Sequence, residues 1–416
     1  MASKKIAFVM VGLPARGKTY MARKIARYLS WLGHATRVFN VGSYRRTRLG
    51  ARQTHEFFDP DNSSGVEVRR TLALAALDDM LGWLESTGDV AIYDATNSSR
   101  ERRDLVRAKC AAHDVEVVFV ESVCDDAAIV DANVRETKAR SPDYADIDAD
   151  TAVQDFLARI HHYEQSYQTV TDDEGSYVRV IDVGRKIEAH QIRGTIAARV
   201  VYFLLNLHIQ PRSFWLTRHG ESEANVLGRI GGDPGLSLRG LGYADALADF
   251  VRTRVAPGDA PLVVWTSTLK RTIATGAPLD RPTTTFKALD EIDAGLCEGM
   301  TYAEIAERMP DEWAGRQTDK FRYRYPRGES YEDVITRLEP MILGLERERL
   351  PVLLIAHQAV LRALYAYLMD KPAEECPRID VPLHTVLQLT PTAYGCDERR
   401  WALAPSPLDQ EGFRAV

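Results

Sequence analysis

With 416 residues, 45% of them hydrophobic and 27% charged, the chain has the makeup of a globular protein with room for two cores of roughly 200 residues each, which excludes a disordered or low-complexity majority. Its net charge of -6 argues against a general nucleic-acid binder, so functional basic residues are expected in pockets for small anions. No apolar run approaches the ~20 residues that span a bilayer, and five scattered cysteines without metal-ligand spacing read as reduced thiols of a cytoplasmic protein with no membrane partner.

The opening "MASKKIAFVMVGLP" is interrupted by Gly12 and Pro14 and followed by Arg16 and Lys18, so it reads as a first strand over Lys5 to Val11 and not as a signal peptide. Met21, Ile25, Tyr28, Leu29 and Leu32 then recur at helical intervals up to Gly33. Strands are expected over Ala35 to Val41, Val90 to Tyr93 and Glu116 to Glu121, with helices over Thr71 to Leu84, Arg100 to Ala112 and about Ile192 to Leu205. This alternation predicts a mostly parallel sheet covered by helices. Pro211 marks a boundary near residue 210. A second α/β half follows, with strands from Phe214, over Leu262 to Thr266 and over Val352 to Ala356. The division is 1–210, 211–395 and a tail over 396–416, ending in the proline-bearing "APSPLDQEGFRAV".

Between the first strand and the first helix lies Gly12-Leu13-Pro14-Ala15-Arg16-Gly17-Lys18-Thr19, a match to G-x-x-x-x-G-K-[ST]. Its glycines let backbone N–H groups curl around a triphosphate, Lys18 reaches the outer phosphates, and the Thr19 hydroxyl is placed to bind Mg²⁺. Asp94 ends the strand "VAIYD", where P-loop proteins carry a magnesium-ordering carboxylate; as a cap for the helix after "ATNSSRERR" it would have a purely structural role. Arg45, Arg69, Arg102 and Arg159, with Lys138 in "ETKARSPDY", suggest a second anionic substrate, although scattered arginines are more often solvated surface.

In the second half, "LTRHGESEAN" places Arg218 and His219 at a strand end, the edge where open α/β sheets bind ligands. Arg218 would grip a phosphate while the His219 imidazole attacks phosphorus, giving a phosphohistidine that water clears. Arg271 in "TSTLKRT" adds a second guanidinium, and His357 in "LLIAHQAV" would donate to the phosphoryl oxygens. Glu291 in "LDEIDAG" would protonate the leaving hydroxyl, its pKa raised if Asp290 lies close. A lone strand-end histidine is usually structural; four such features in order favour chemistry.

Together with "VFNVGSYRR", "SPDY", "GRIGGDPGLSLRG", "EIDAGLCEG", "YRYPRGESYED", "AHQAVLRALYAY" and "PLHTVLQLTPTAYGC", these motifs closely resemble the bifunctional 6-phosphofructo-2-kinase/fructose-2,6-bisphosphatase family, from about Lys5 to Gly395. The resemblance implies an α/β protein of two domains: an N-terminal P-loop NTPase-type, mostly parallel sheet with flanking helices, and a C-terminal histidine-phosphatase-type α/β sandwich related to phosphoglycerate mutase. It implies synthesis of fructose 2,6-bisphosphate from fructose 6-phosphate and ATP with Mg²⁺, hydrolysis of the same phosphate, and a homodimer through the kinase half.

By that resemblance Arg45, Arg69, Thr96, Arg102, Arg159 and Tyr163 hold fructose 6-phosphate, Asp94 is the catalytic carboxylate, and Lys138 steadies the transferring phosphoryl. Asn133, Cys124 and Tyr394 adjoin the nucleotide, although a strand-end cysteine is commonly plain packing. Arg218, Asn225, Gly231, Arg271, Tyr302, Arg316, Lys320, Tyr331, Gln358 and Arg362 match positions that bind the bisphosphate, with Arg316, Lys320 and Arg362 suited to its 6-phosphate. Animal members carry longer ends bearing phosphorylation sites, so control by tail phosphorylation is not expected here. The alternatives are a kinase fused to a broader histidine phosphatase or mutase, or a chain in which one domain only binds metabolites.

Overall fold

The computed structural model of the chain describes residues 4–405 except 52, 141, 145–147, 209–211 and 393–394, and leaves out the side chains of 136–140, 142, 149 and 183. The chain divides into two compact units, 1–209 and 210–416.

Six strands build the first unit: β1 (Lys5–Val11), β2 (Thr36–Asn40), β3 (Val90–Asp94), β4 (Val115–Val123), β5 (Tyr177–Ile181) and β6 (Lys186–His190), in the order β2-β3-β1-β4-β5-β6. The first five run parallel and β6 returns antiparallel to β5. The helices are α1 (Lys18–Trp31), α2 (Val41–Leu49), α3 (Ser63–Ser86), α4 (Arg100–Ala112), α5 (Ala127–Arg140), α6 (Ala149–Ser166) and α7 (Thr195–Asn206). Continuous apolar strands such as β1 and β3 are buried on both faces, as a helix-covered parallel sheet requires. Val9, Tyr93 and Phe119 pack with Leu77 and Met80 of α3 in one core. Because β1 pairs with both β3 and β4, the chain after β1 emerges at a reversal of strand order, where such sheets open a crevice.

The second sheet comprises β7 (Phe214–Arg218), β8 (Val263–Thr266), β9 (Thr283–Thr285), β10 (Val352–Ala356), β11 (Thr385–Thr392) and β12 (Gly395–Ala402), ordered β12-β11-β7-β10-β8-β9. Here β7, β10, β8 and β9 are parallel, and β11 and β12 form an antiparallel margin. Its helices are α8 (Glu223–Val226), α9 (Leu238–Phe250), α10 (Lys270–Gly276), α11 (Tyr302–Arg308), α12 (Pro310–Thr318), α13 (Tyr331–Arg347) and α14 (Gln358–Leu368).

Three expectations need correction. Residues from Cys396 to Ala402, assigned to the tail, belong to β12 and pair with residues 385–391 of β11. The helix expected from Thr71 starts eight residues earlier, at Ser63, where the Asn62 side chain caps it by accepting from Gly65 N–H. The helix expected from Ile192 starts at Thr195, after the unforeseen strand β6. Among the described residues no helix is long and apolar enough to cross a membrane.

Candidate active sites

In the first unit the loop from β1 to α1 takes the shape its glycines permit. Gly12 has φ 135° and its backbone lies against the Ser122 carbonyl, where a Cβ would collide; Gly17, at φ 78°, caps α1. Both torsions lie where L side chains are strained. Gly12 N–H donates to the Thr96 carbonyl at 2.9 Å, and Asn133 Nδ2 donates to the Ala15 carbonyl at 3.0 Å, so Thr96 and α5 brace the loop. Lys18 is buried, and its Nζ donates to the Leu13 carbonyl at 2.5 Å. Burial, with smaller contributions from Arg16 and Arg159, pulls its pKa down to about 7 against the pull of Asp94. A buried ammonium so destabilised favours an incoming polyanion.

Thr19 Oγ1 donates to Asp94 Oδ2 at 2.8 Å, and Asn40 Nδ2 donates to the same oxygen. Burial raises the Asp94 pKa, opposed by Asn40, Thr19 and Lys18. Two adjacent hard oxygens beside the P-loop are a donor set that suits Mg²⁺. Cys124 is buried just past β4, and burial raises its thiol pKa, so it is no ready nucleophile.

The arginines expected at the acceptor site divide. Arg45 and Arg159 stack on the Phe58 ring, Arg69 donates to the Phe57 carbonyl, and Tyr163 packs beside Phe58. The turn His55–Phe58 thus gathers three of the arginines and Tyr163 from α2, α3 and α6. Within this cluster the Asp143 carboxylate pairs with Arg45 and lies 3.9 and 4.0 Å from Arg46 and Arg159. One carboxylate against three guanidiniums leaves positive charge for a phosphate to balance. Arg102 instead donates to the Tyr93 hydroxyl at 2.8 Å, and among the described residues no hydrogen bond joins it to that cluster. The Lys138 side chain and Tyr394 lie outside the described residues.

In the second unit, parallel register sets Arg218 opposite Ala356 and Ile355 opposite Thr266. The residues that follow β7, β10 and β8 therefore meet at one sheet edge. His219 and His357 are buried with ring centroids 5.1 Å apart. His219 Nδ1 lies 2.7 Å from the Gly220 carbonyl, and since a carbonyl only accepts, the proton sits on Nδ1 and Nε2 carries the free lone pair. Burial first, then Arg271, lowers the His219 pKa to about 3, which keeps the ring neutral and nucleophilic at neutral pH.

Arg271 is buried and donates to the Gly232 carbonyl at 2.7 Å. Glu298 holds that loop through Gly232 N–H and Ala294 N–H. Gly231, at φ 71°, has no room for a Cβ because of the same carboxylate. Glu291 Oε1 accepts from Ile292 N–H at 2.9 Å and Ala359 N–H at 3.2 Å, which fixes the carboxyl group beside the start of α14. The Asp290 carboxylate is taken by the Thr268 hydroxyl and N–H. Asn225 Oδ1 accepts from Ser222 and completes the α8 cap, and Gln358 opens α14.

A second cationic group comes from α12, the turn after it and α14. Arg316 donates to Tyr325 and Tyr302 at 2.9 and 3.1 Å, and Arg362 donates to Tyr331 at 3.2 Å. Burial, then Arg316 and Arg362, lowers the Lys320 pKa to about 8. Among the described residues no carboxylate pairs with Arg218, Arg316, Lys320 or Arg362. Half-buried cations with neutral partners form a site that an anion completes. The Gly220 and Gly232 carbonyls, Glu298 and Asp143 escaped the sequence reading. Asp143 stood in the "SPDY" motif, whereas a backbone carbonyl has no signature in sequence.

Fold and site define a P-loop kinase unit joined to a histidine phosphatase unit. The family model for 6-phosphofructo-2-kinase matches residues 1–211 and that for the histidine phosphatase superfamily (branch 1) matches residues 214–404. The chain is 51% identical over 392 residues to 6-phosphofructo-2-kinase/fructose-2,6-bisphosphatase 1 of Homo sapiens, covering 93% of this chain and 82% of that one. It is also 51% identical over 393 residues to the Gallus gallus 6-phosphofructo-2-kinase/fructose-2,6-bisphosphatase, covering 94% and 83%. A putative alpha-ribazole-5'-P phosphatase from Escherichia coli aligns with 49% of this chain and 98% of its own at 23% identity and a TM-score of 0.41. The chain belongs to the bifunctional 6-phosphofructo-2-kinase/fructose-2,6-bisphosphatase family, and is an enzyme of the kinase and phosphatase type.

Proposed function

We propose that the first unit phosphorylates the 2-hydroxyl of fructose 6-phosphate with ATP, and that the second hydrolyses the resulting fructose 2,6-bisphosphate to fructose 6-phosphate and phosphate through a phosphohistidine on His219. The observation that carries this reading is the buried His219, whose Nδ1 lies against the Gly220 carbonyl so that Nε2 is bare, under the influence of the Arg271 and Arg218 guanidiniums.

In the kinase reaction Lys18 leaves the Leu13 carbonyl for the outer phosphates of ATP, and Arg45, Arg69 and Arg159 hold the sugar phosphate. Asp94, made more basic by burial, takes the hydroxyl proton. Mg²⁺ held by Thr19 and Asp94 would neutralise charge on the triphosphate. Thr96, Arg102, Tyr163 and Lys138 belong to the acceptor side in this reading, Cys124 and Asn133 to the nucleotide side.

In the phosphatase reaction the 2-phosphate lies against Arg218, Arg271 and His357, and His219 Nε2 attacks phosphorus as Glu291 gives its proton to the departing sugar oxygen. Arg316, Lys320 and Arg362, with Tyr302 and Tyr331, anchor the 6-phosphate; Asn225, Gly231 and Gln358 line the remainder. Anchoring the remote phosphate turns binding energy into orientation. In the same reading the protein is a homodimer through the first unit.

The test measures both rates on one preparation, with fructose 6-phosphate plus ATP and separately with 2-³²P-labelled bisphosphate. His219→Ala is expected to abolish phosphate release and acid-labile labelling of the protein while raising net synthesis. Return of label to a sugar acid in place of free phosphate would overturn the bisphosphatase assignment in favour of a mutase.

A further inference from the structure

The second unit contains a buried hydroxyl to which the chemistry above gives no part. Ser267 follows β8 and His357 follows β10, both fully buried, and the register of those strands brings Ser267 Oγ to 2.8 Å from His357 Nε2. The same Oγ accepts Leu269 N–H at 3.1 Å and lies 2.7 Å from Thr272 Oγ1. Thr272 Oγ1 lies 2.8 Å from the Leu269 carbonyl and 3.2 Å from the Ser267 carbonyl. With its proton on the nearer of these, the Ser267 proton goes to Thr272 and the remaining Ser267 lone pair faces Nε2, which is then the protonated nitrogen. Nδ1 of His357 is buried and has no hydrogen-bond partner among the described residues. A buried polar atom without a partner costs stability, and this one sits on the ring that faces His219.

We propose that Ser267 is a positioning residue of the phosphatase reaction: its hydroxyl grips His357 by Nε2–H so that Nδ1 is the atom presented to the phosphoryl oxygen. The inference rests on the phosphatase reading above. When a dianionic phosphate binds, Nδ1 takes a proton from solvent and donates it in a hydrogen bond to that oxygen, while Nε2–H keeps its acceptor. His219 faces the His357 ring, and Arg271, Arg218 and Arg337 act on it electrostatically, with Glu291 bonded to the first turn of α14 at Ala359. Most are cationic, so the charged ring depends on the phosphate on one side and on the serine oxygen on the other.

Ser267→Ala is expected to lower kcat for phosphate release roughly tenfold or more, short of the 10²–10³ for losing such a donor outright, with KM within about twofold. The descent of kcat on the alkaline side is expected to move to lower pH, because the imidazolium has lost an acceptor, and Ser267→Thr is expected to restore both rate and profile. A Ser267→Ala profile that superimposes on the wild type, or a Ser267→Thr enzyme as impaired as the alanine variant with an unchanged melting temperature, overturns the proposal alone. A wild-type chain that neither labels nor releases phosphate overturns the phosphatase reading beneath it. Should the alanine variant not fold, ¹⁵N-histidine spectra of the wild-type chain with orthovanadate decide: His357 as an imidazolium bonded through Nε2–H supports the proposal, and a neutral ring sinks it.

Discussion

The lysine at the remote phosphate shows how one buried charge sets a pH dependence. With its pKa lowered to about 8 by burial and by Arg316 and Arg362, Lys320 is charged below pH 8 and loses its proton above it. Since a phosphate favours the charged form, KM for the bisphosphate should be flat between pH 6 and 7 and rise as pH passes 8, with kcat changing less. Lys320→Arg, whose guanidinium keeps its charge at every working pH, should abolish the rise; steady-state kinetics from pH 6 to 9.5 check both. Gly231 makes a steric counterpart. A methyl there would overlap the Glu298 carboxylate and must also adopt φ 71°, displacing the loop whose Gly232 carbonyl orients Arg271. Gly231→Ala should therefore cut phosphatase kcat/KM on the order of tenfold or more, the scale of one lost charged hydrogen bond, and leave ATP-dependent synthesis intact.

Among elements, α4 is fastened by an ion pair buried in the first unit. Arg103 meets Glu174 through two hydrogen bonds of 2.6 and 2.8 Å, both side chains being 1% exposed, and it also donates to the Gln168 carbonyl at 2.8 Å. It thereby ties α4 to the segment between α6 and β5. Arg103→Ala would strand a buried carboxylate at a cost of about 3–5 kcal/mol, lowering the melting temperature of this unit by on the order of 10 °C; calorimetry and the temperature at which synthesis is lost should fall together. The buried strands and the phosphate loop were legible in sequence because a continuous apolar run suits a strand covered on both faces, and a fixed glycine spacing before Lys-Thr suits a phosphate cradle. By contrast β12, "GCDERRWA", lies at a sheet margin with most side chains in water, so its charges read as tail. An outer strand of this kind is kept polar against unwanted pairing. Ser267 stood in plain view after β8, but only the pairing of β8 with β10 gives it a partner 90 residues away.

Across the whole molecule the two chemistries occupy separate compact units, each with its own core, Val9, Tyr93 and Leu77 in the first and Trp215, Tyr243 and Leu353 in the second. Opposed reactions of the proposed kind draw on different residue sets, the phosphate loop in the first unit and the two buried histidines in the second. Lys18 and Thr19 start α1, while Arg218 ends β7 and His219 follows it. Lys18→Ala removes the ammonium that the outer phosphates require, without touching a core residue of the second unit. ATP-dependent synthesis should fall at least a hundredfold, and release of phosphate from the bisphosphate should stay within about twofold of the parent, as expected when one preorganised charge is lost from one site only. Measured beside His219→Ala, which should lose hydrolysis and keep synthesis, the pair separates two independent catalysts from one catalyst with a binding domain. A Lys18→Ala chain that melts normally yet loses both activities would mean that the second site depends on the first, and the two-site assignment would fall.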